Sequence, residues 1–135
     1  MKIAIEAQRI FRPNKHGMDF VALETIRELQ KRNDDNQYFV IVAPGEDRCL
    51  EESSNLSIIE LKSLSYPLWE QIALPRAVKH LGVDLLHCTS NTAPLYCSVP
   101  LVLTLHDIIY LEPRQHRSPS ALQFQVGRPS GLRKT

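Results

Sequence analysis

Glycine is scarce in this chain: five residues of 135, none of them in a G-x-G-x-x-G arrangement. That removes the dinucleotide fingerprint, in which glycines let the backbone close on a pyrophosphate. Neither a P-loop nor a G-x-S-x-G elbow is present, so kinase and serine-hydrolase chemistry find no support. Cysteine is also sparse. Cys49, Cys88 and Cys97 are odd in number, share no C-x-x-C spacing and follow no secretory leader. A reducing, cytoplasmic setting is expected, without a disulfide framework. No apolar run approaches the roughly eighteen residues that span a bilayer. The histidines show no ligand spacing with Asp or Cys, so no metal is expected.

Acid is missing from one region only. Residues 1–113 hold 11 Lys/Arg against 15 Asp/Glu, whereas residues 114–135 hold five basic residues and no acid, giving a formal net charge of +1. The basic tail has no Lys/Arg run and only Phe124 for stacking, which argues against a nucleic-acid partner. Gly and Pro are frequent there, and apolar periodicity is confined to residues 121–126. The expectation is a domain over residues 1–113 and a disordered or non-native tail over residues 114–135.

Within the first 113 residues, apolar runs of strand length alternate with a helical pattern. Residues 2–7, 38–43, 56–61, 84–88 and 101–105 read as strands. Residues 18–32 place Ala22, Ile26 and Leu29 on one face and Glu24, Arg27, Glu28 and Lys31 opposite, with Asp19 and Lys31-Arg32 suiting the helix dipole. Residues 49–54 are ambiguous, with one helical turn as an option. Residues 68–81 read as a helix that Pro75 kinks or divides and Gly82 stops. Strands separated by helices predict an α/β fold, a Rossmann-like parallel sheet flanked by helices.

The run 101–105 carries no charge and stops at His106-Asp107. It reads as a strand buried on both faces, and ligands of open α/β sheets gather beyond the carboxyl ends of such strands. His106 is therefore a candidate for chemistry, as hydrogen-bond donor or proton shuttle, against the simpler reading of a satisfied histidine at a strand end. Asp107 points to the opposite face and is expected to cap the following turn. Thr89-Ser90-Asn91, at the end of the preceding strand, suit either a hydroxyl-rich ligand or a plain turn. Trp69 is expected as a buried anchor more than as a sugar-stacking platform.

The order of these features resembles the N-terminal domain of a GT4-family glycosyltransferase of the GT-B fold. The resemblance rests on the opening strand Met1-Lys-Ile-Ala-Ile-Glu-Ala-Gln-Arg9 and on His16-Gly17-Met18 entering an amphipathic helix. It also rests on Tyr66-Pro-Leu-Trp-Glu-Gln71, Asp84-Leu-Leu-His-Cys-Thr-Ser-Asn91, and Pro100 through His106-Asp107. It implies a retaining transferase that moves a sugar from a nucleotide-diphosphate-sugar donor to a glycan or lipid-linked acceptor, with no metal. By the same resemblance His106 lies beside the transferred sugar and His16 and Gly17 face the donor diphosphate. Glu6, Arg9, Thr89, Ser90 and Asn91 meet the acceptor or sugar. Asp19 stands where relatives often carry a second glycine, and its charge would repel a nearby phosphate.

The resemblance further implies that the domain holding most donor contacts is absent, and that the chain is inactive alone. Association with the inner membrane face has no basic amphipathic helix to support it. The rival reading is a non-enzymatic α/β module binding a small ligand or a partner protein at the His106 edge. A sugar-nucleotide epimerase of similar fold is a third.

Overall fold

The computed structural model describes residues 1–106; Asp107 and the tail over residues 114–135 lie outside the described residues. The elements are β1 (Lys2–Glu6), α1 (Gly17–Lys31), β2 (Gln37–Val42), β3 (Leu56–Glu60) and α2 (Tyr66–Leu68). A π-helical turn (Trp69–Ala73), α3 (Leu74–Leu81), β4 (Leu85–Cys88) and β5 (Leu101–Leu103) follow. The five strands form one sheet in the order β3-β2-β1-β4-β5, and every neighbouring pair is parallel. This is the α/β, Rossmann-like arrangement that the apolar runs predict.

Alternation along the strands divides the core into two layers. Ile5, Val40 and Val42 face a layer shared with Ala22, Leu23 and Ile26 of α1. Ala4, Ile41, Leu86 and Cys88 face the opposite layer, with Trp69, Leu74 and Val78 from the second helical segment. Pairing aligns Glu6 with Ile41 and Cys88, and Cys88 with Leu103. The carboxyl ends of β2, β1, β4 and β5 are therefore level, and the loops after them share one edge.

Two expectations need correction. The run after Pro100 forms a strand only over Leu101–Leu103, at the edge of the sheet, and is not buried on both faces. Val102 is 48% exposed and its two neighbours 36% each, because only β4 flanks them among the described residues. Residues 49–54 contain no helical turn; Ser53 makes an isolated bridge to Leu56 instead.

The second helical segment divides as Pro75 implies, but by a π turn. Leu74 N–H reaches back to the Trp69 carbonyl, so the wider turn comes immediately before Pro75, which has no N–H to give and falls in the first turn of α3. Gly82 ends α3 in the left-handed region at φ 66°. Gly45 has a different role. A Cβ there would come within 2.3 Å of the Phe11 carbonyl oxygen, so the loop after β2 can approach the loop after β1 only as glycine.

Three substitutions should rank accordingly in urea unfolding. Gly45→Ala should lose about 2–3 kcal/mol through overpacking against backbone, and Gly82→Ala about 1 kcal/mol from its left-handed φ. Gly17→Ala, with nothing within 4 Å of the added carbon, should stay within about 0.5 kcal/mol. Equal stability for Gly45→Ala and Gly17→Ala would contradict this packing.

Candidate functional site

The site begins where β1 ends. Glu6 is only 3% exposed, and its carboxylate accepts hydrogen bonds from the backbone N–H of Gln8 (3.0 Å) and of Thr89 (3.3 Å). The Thr89 hydroxyl donates to the Glu6 carbonyl at 2.8 Å. Parallel strands β1 and β4 are thus clasped just past their last ladder bonds. Burial raises the Glu6 carboxyl above its ordinary value, the two backbone N–H groups pull it down, and Glu70 adds repulsion.

Thr89 in turn holds His106. The ring Nε2 lies 2.7 Å from the Thr89 carbonyl, and a carbonyl only accepts, so Nε2 must carry the hydrogen. In the neutral ring Nδ1 is then an acceptor, with no hydrogen-bond partner among the described residues. The backbone is fixed as well, since the His106 N–H donates to Asn91 Oδ1 at 2.6 Å. Asn91 manages this from a left-handed conformation, φ 68°, which asparagine tolerates better than most residues. Its Nδ2 contacts Met18 Sδ at 3.5 Å, bringing the start of α1 to the same edge. Ser90 lies half-buried beside Thr89.

The loop from β1 to α1 is braced from several sides. Asp19 accepts from the His16 backbone N–H at 2.8 Å, closing one arm of a capping box. The same carboxylate oxygen lies 2.8 Å from an Arg12 guanidinium nitrogen. The negative charge expected to repel a phosphate is therefore paired with a cation. His16 and Gly17 are exposed; the Asp19 N–H donates to the His16 carbonyl, and the N–H groups of Gly17 and Met18 ahead of it have no intrahelical partner. Lys15 pairs with Asp47, and Asp47 N–H donates to the Phe11 carbonyl at 2.9 Å, tying the loop to the one after β2. Arg9 projects the other way, its guanidinium 4.9 Å from the centre of the Tyr66 ring.

The structure thus gathers Glu6, Thr89, Asn91 and His106 into one connected group, with the start of α1 against it through Met18. Arg9 joins a neighbouring polar group that the sequence pattern does not single out. There buried Glu70 accepts from the hydroxyls of Tyr66 (3.2 Å) and Thr92 and from the Gln71 side-chain amide (3.1 Å). A glutamate in a helical pattern carries no local signal of burial, and its Thr92 partner is 22 positions away. Arg12 was legible only as an arginine in a loop. Trp69 is a buried anchor, 2% exposed, its indole N–H donating to the Leu61 carbonyl at 3.0 Å. No group of three or more His, Cys, Asp or Glu able to hold a metal occurs among the described residues.

The Glu6 clasp has a pH signature. Because its folded-state pKa is raised above 4.5, the folded chain binds this proton more tightly than the unfolded one. The Glu6 contribution is complete below that value and is lost as pH rises through the folded-state pKa. Urea midpoints of the wild type should therefore carry a falling limb from about pH 4.5 upward that Glu6→Gln lacks. Identical pH slopes for the two chains would show that this carboxyl is not desolvated.

Neither a curated protein nor a solved structure matches the chain. The model of one family, Glycosyltransferase Family 4, matches residues 16–132. That span takes in α1, the braced loop's end, β4 and its Thr89-Asn91 turn, and β5 with His106, and continues past the described residues. With most of its length matched, the chain belongs to Glycosyltransferase Family 4.

Proposed function

We propose that this chain is the acceptor-side, N-terminal part of a retaining glycosyltransferase. The reaction it serves moves a sugar from a nucleotide-diphosphate donor to a glycan or lipid-linked acceptor, as in polysaccharide assembly, in the cytoplasm. The observation that carries the reading is the fixed ring of His106. Its Nε2–H is held by the Thr89 carbonyl, which leaves Nδ1 to accept a hydrogen bond from a sugar hydroxyl.

The donor diphosphate would face His16 and Gly17, where free N–H groups at the start of α1 suit an anion. The Arg12–Asp19 pair supports this by removing a repulsion that Asp19 alone would exert. Arg9, Thr89, Ser90 and Asn91 would face the acceptor. Glu6 would act through Thr89, since its carboxylate is committed to backbone N–H groups. No metal is invoked. Stabilisation of the departing diphosphate is assigned to groups of a second domain closing over this edge, and without them the chain alone should transfer no sugar.

Titration of the isotope-labelled chain with UDP, GDP and their sugars tests this by NMR. At millimolar nucleotide the amides of Gly17 and Met18 should shift, and the sugar-bearing forms should also shift His106. His106→Ala should keep the nucleotide response at Gly17 and lose the sugar-dependent part. Silence at both Gly17 and His106 in every titration would remove the donor role from this domain.

A further inference from the structure

We propose that the cleft at the carboxyl ends of β1, β2 and β3 is a second binding subsite, for a hydroxyl-rich glycan segment. The acceptor would then extend over several sugar rings along the edge of the sheet. This rests on the acceptor role proposed above and goes beyond it, because none of the residues concerned is a contact in that reading. The cleft encloses about 530 Å³, and Gln8, Lys62, Ser63, Ser65 and Tyr66 are among the residues that line it.

The first argument is an unsatisfied group. Gln8 Oε1 is buried and has no hydrogen-bond partner among the described residues. Buried carbonyl oxygens are nearly always paired, so one left open on a residue lining a cleft gains a donor when its side chain turns toward a ligand there. The Gln8 backbone is not free to move the group away. Its N–H is held by Glu6 and its carbonyl accepts from the Ala43 N–H at 3.0 Å.

The second argument is the mixture of polar groups that line the same cleft. Ser65 Oγ accepts from the Leu68 N–H, which leaves its hydroxyl hydrogen to donate. Ser63 and Lys62 are exposed on the rim and make no hydrogen bond to the described residues. A carbonyl that only accepts, hydroxyls that do both and an ammonium that only donates suit neighbouring sugar hydroxyls, each both donor and acceptor. A phosphate would want donors alone. It would also face Gln8, whose backbone N–H is already held by the buried carboxylate of Glu6.

The third argument is distance. The cleft is centred past β2, and His106 follows β5, three strands away in the order β2-β1-β4-β5. At about 4.8 Å per strand this is roughly 14 Å, farther than one sugar ring reaches. An acceptor that fills the cleft while presenting a hydroxyl at His106 must be an oligosaccharide or a polymer end.

The test is NMR titration of the chain with malto-, cello-, manno- and xylo-oligosaccharides, from monosaccharide to pentasaccharide. At least one series should shift the Gln8 side-chain amide and the Ser63 and Ser65 amides. His106 should join the response only from about the trisaccharide upward. Gln8→Leu should weaken that binding about five- to tenfold while melting no lower than wild type, since it removes an unpaired carbonyl. Ser63→Ala, on the exposed rim, should weaken it about threefold and guards against a folding artefact. Silence of all four series at Gln8, Ser63 and Ser65, or unchanged affinity in Gln8→Leu, would overturn the subsite. If nucleotides still shift Gly17 and His106 in that case, only the subsite falls; if glycans bind here while nucleotides are silent, the subsite stands without the donor role.

Discussion

A carboxylate removed from water at the end of a strand must find hydrogen-bond donors, and Glu6 finds two backbone N–H groups, one in the loop that follows its own strand and one just past β4. That requirement organises the whole edge. Satisfying it pins the first residue after β4, and the Thr89 hydroxyl closes the clasp by donating back to Glu6. With Thr89 fixed, its carbonyl is a stationary acceptor for the ring of His106, which follows the next strand out. Asn91 completes the chain of contacts by holding the His106 backbone from a left-handed turn. Three strand ends are positioned by one buried acid.

The same logic of neutralised charge governs the loop between β1 and α1. Asp19 serves as a helix cap, a role that any short acid at that position fills, and Arg12 reduces the field it would project toward the open end of α1. Lys15 and Asp47 anchor the loop to the one after β2, and Gly45 lets the two backbones meet. Membership of Glycosyltransferase Family 4 fits an edge of this kind, which presents a fixed imidazole and an exposed helix start side by side.

Much of the fold was legible because parallel strands buried on both faces print as apolar runs, and amphipathic helices print a different period. The inner strands β2, β1 and β4 follow that rule, and the edge strand β3 buries only Leu56. The run at residues 101–105 looks the same and is not buried, since an apolar run records what a strand is suited to and not whether a neighbour covers it. The π turn ahead of Pro75 was visible only as a proline inside a helical pattern, because the absence of one N–H does not say how the helix will absorb it. The site was half legible. His106, Thr89 and Asn91 announce themselves as polar residues at strand ends. The burial of Glu6 depends on Thr89, 83 positions away, and that of Glu70 on Thr92, 22 positions away; no local pattern encodes either. Gln8 stands in the opening-strand motif with no signal of its own, and only the packed structure shows its side-chain carbonyl oxygen buried without a partner among the described residues.

The account turns on which nitrogen of His106 carries the hydrogen, because that one fact reports both the clasp beneath it and the chemistry above it. Long-range proton–nitrogen correlation of the imidazole, recorded at a pH where the ring is neutral, reads it directly. The account predicts a protonated Nε2 and a bare Nδ1, and a loss of that single-tautomer pattern when Thr89 is displaced by Glu6→Gln. A neutral ring protonated at Nδ1, or an even mixture of tautomers in the wild type, would contradict it.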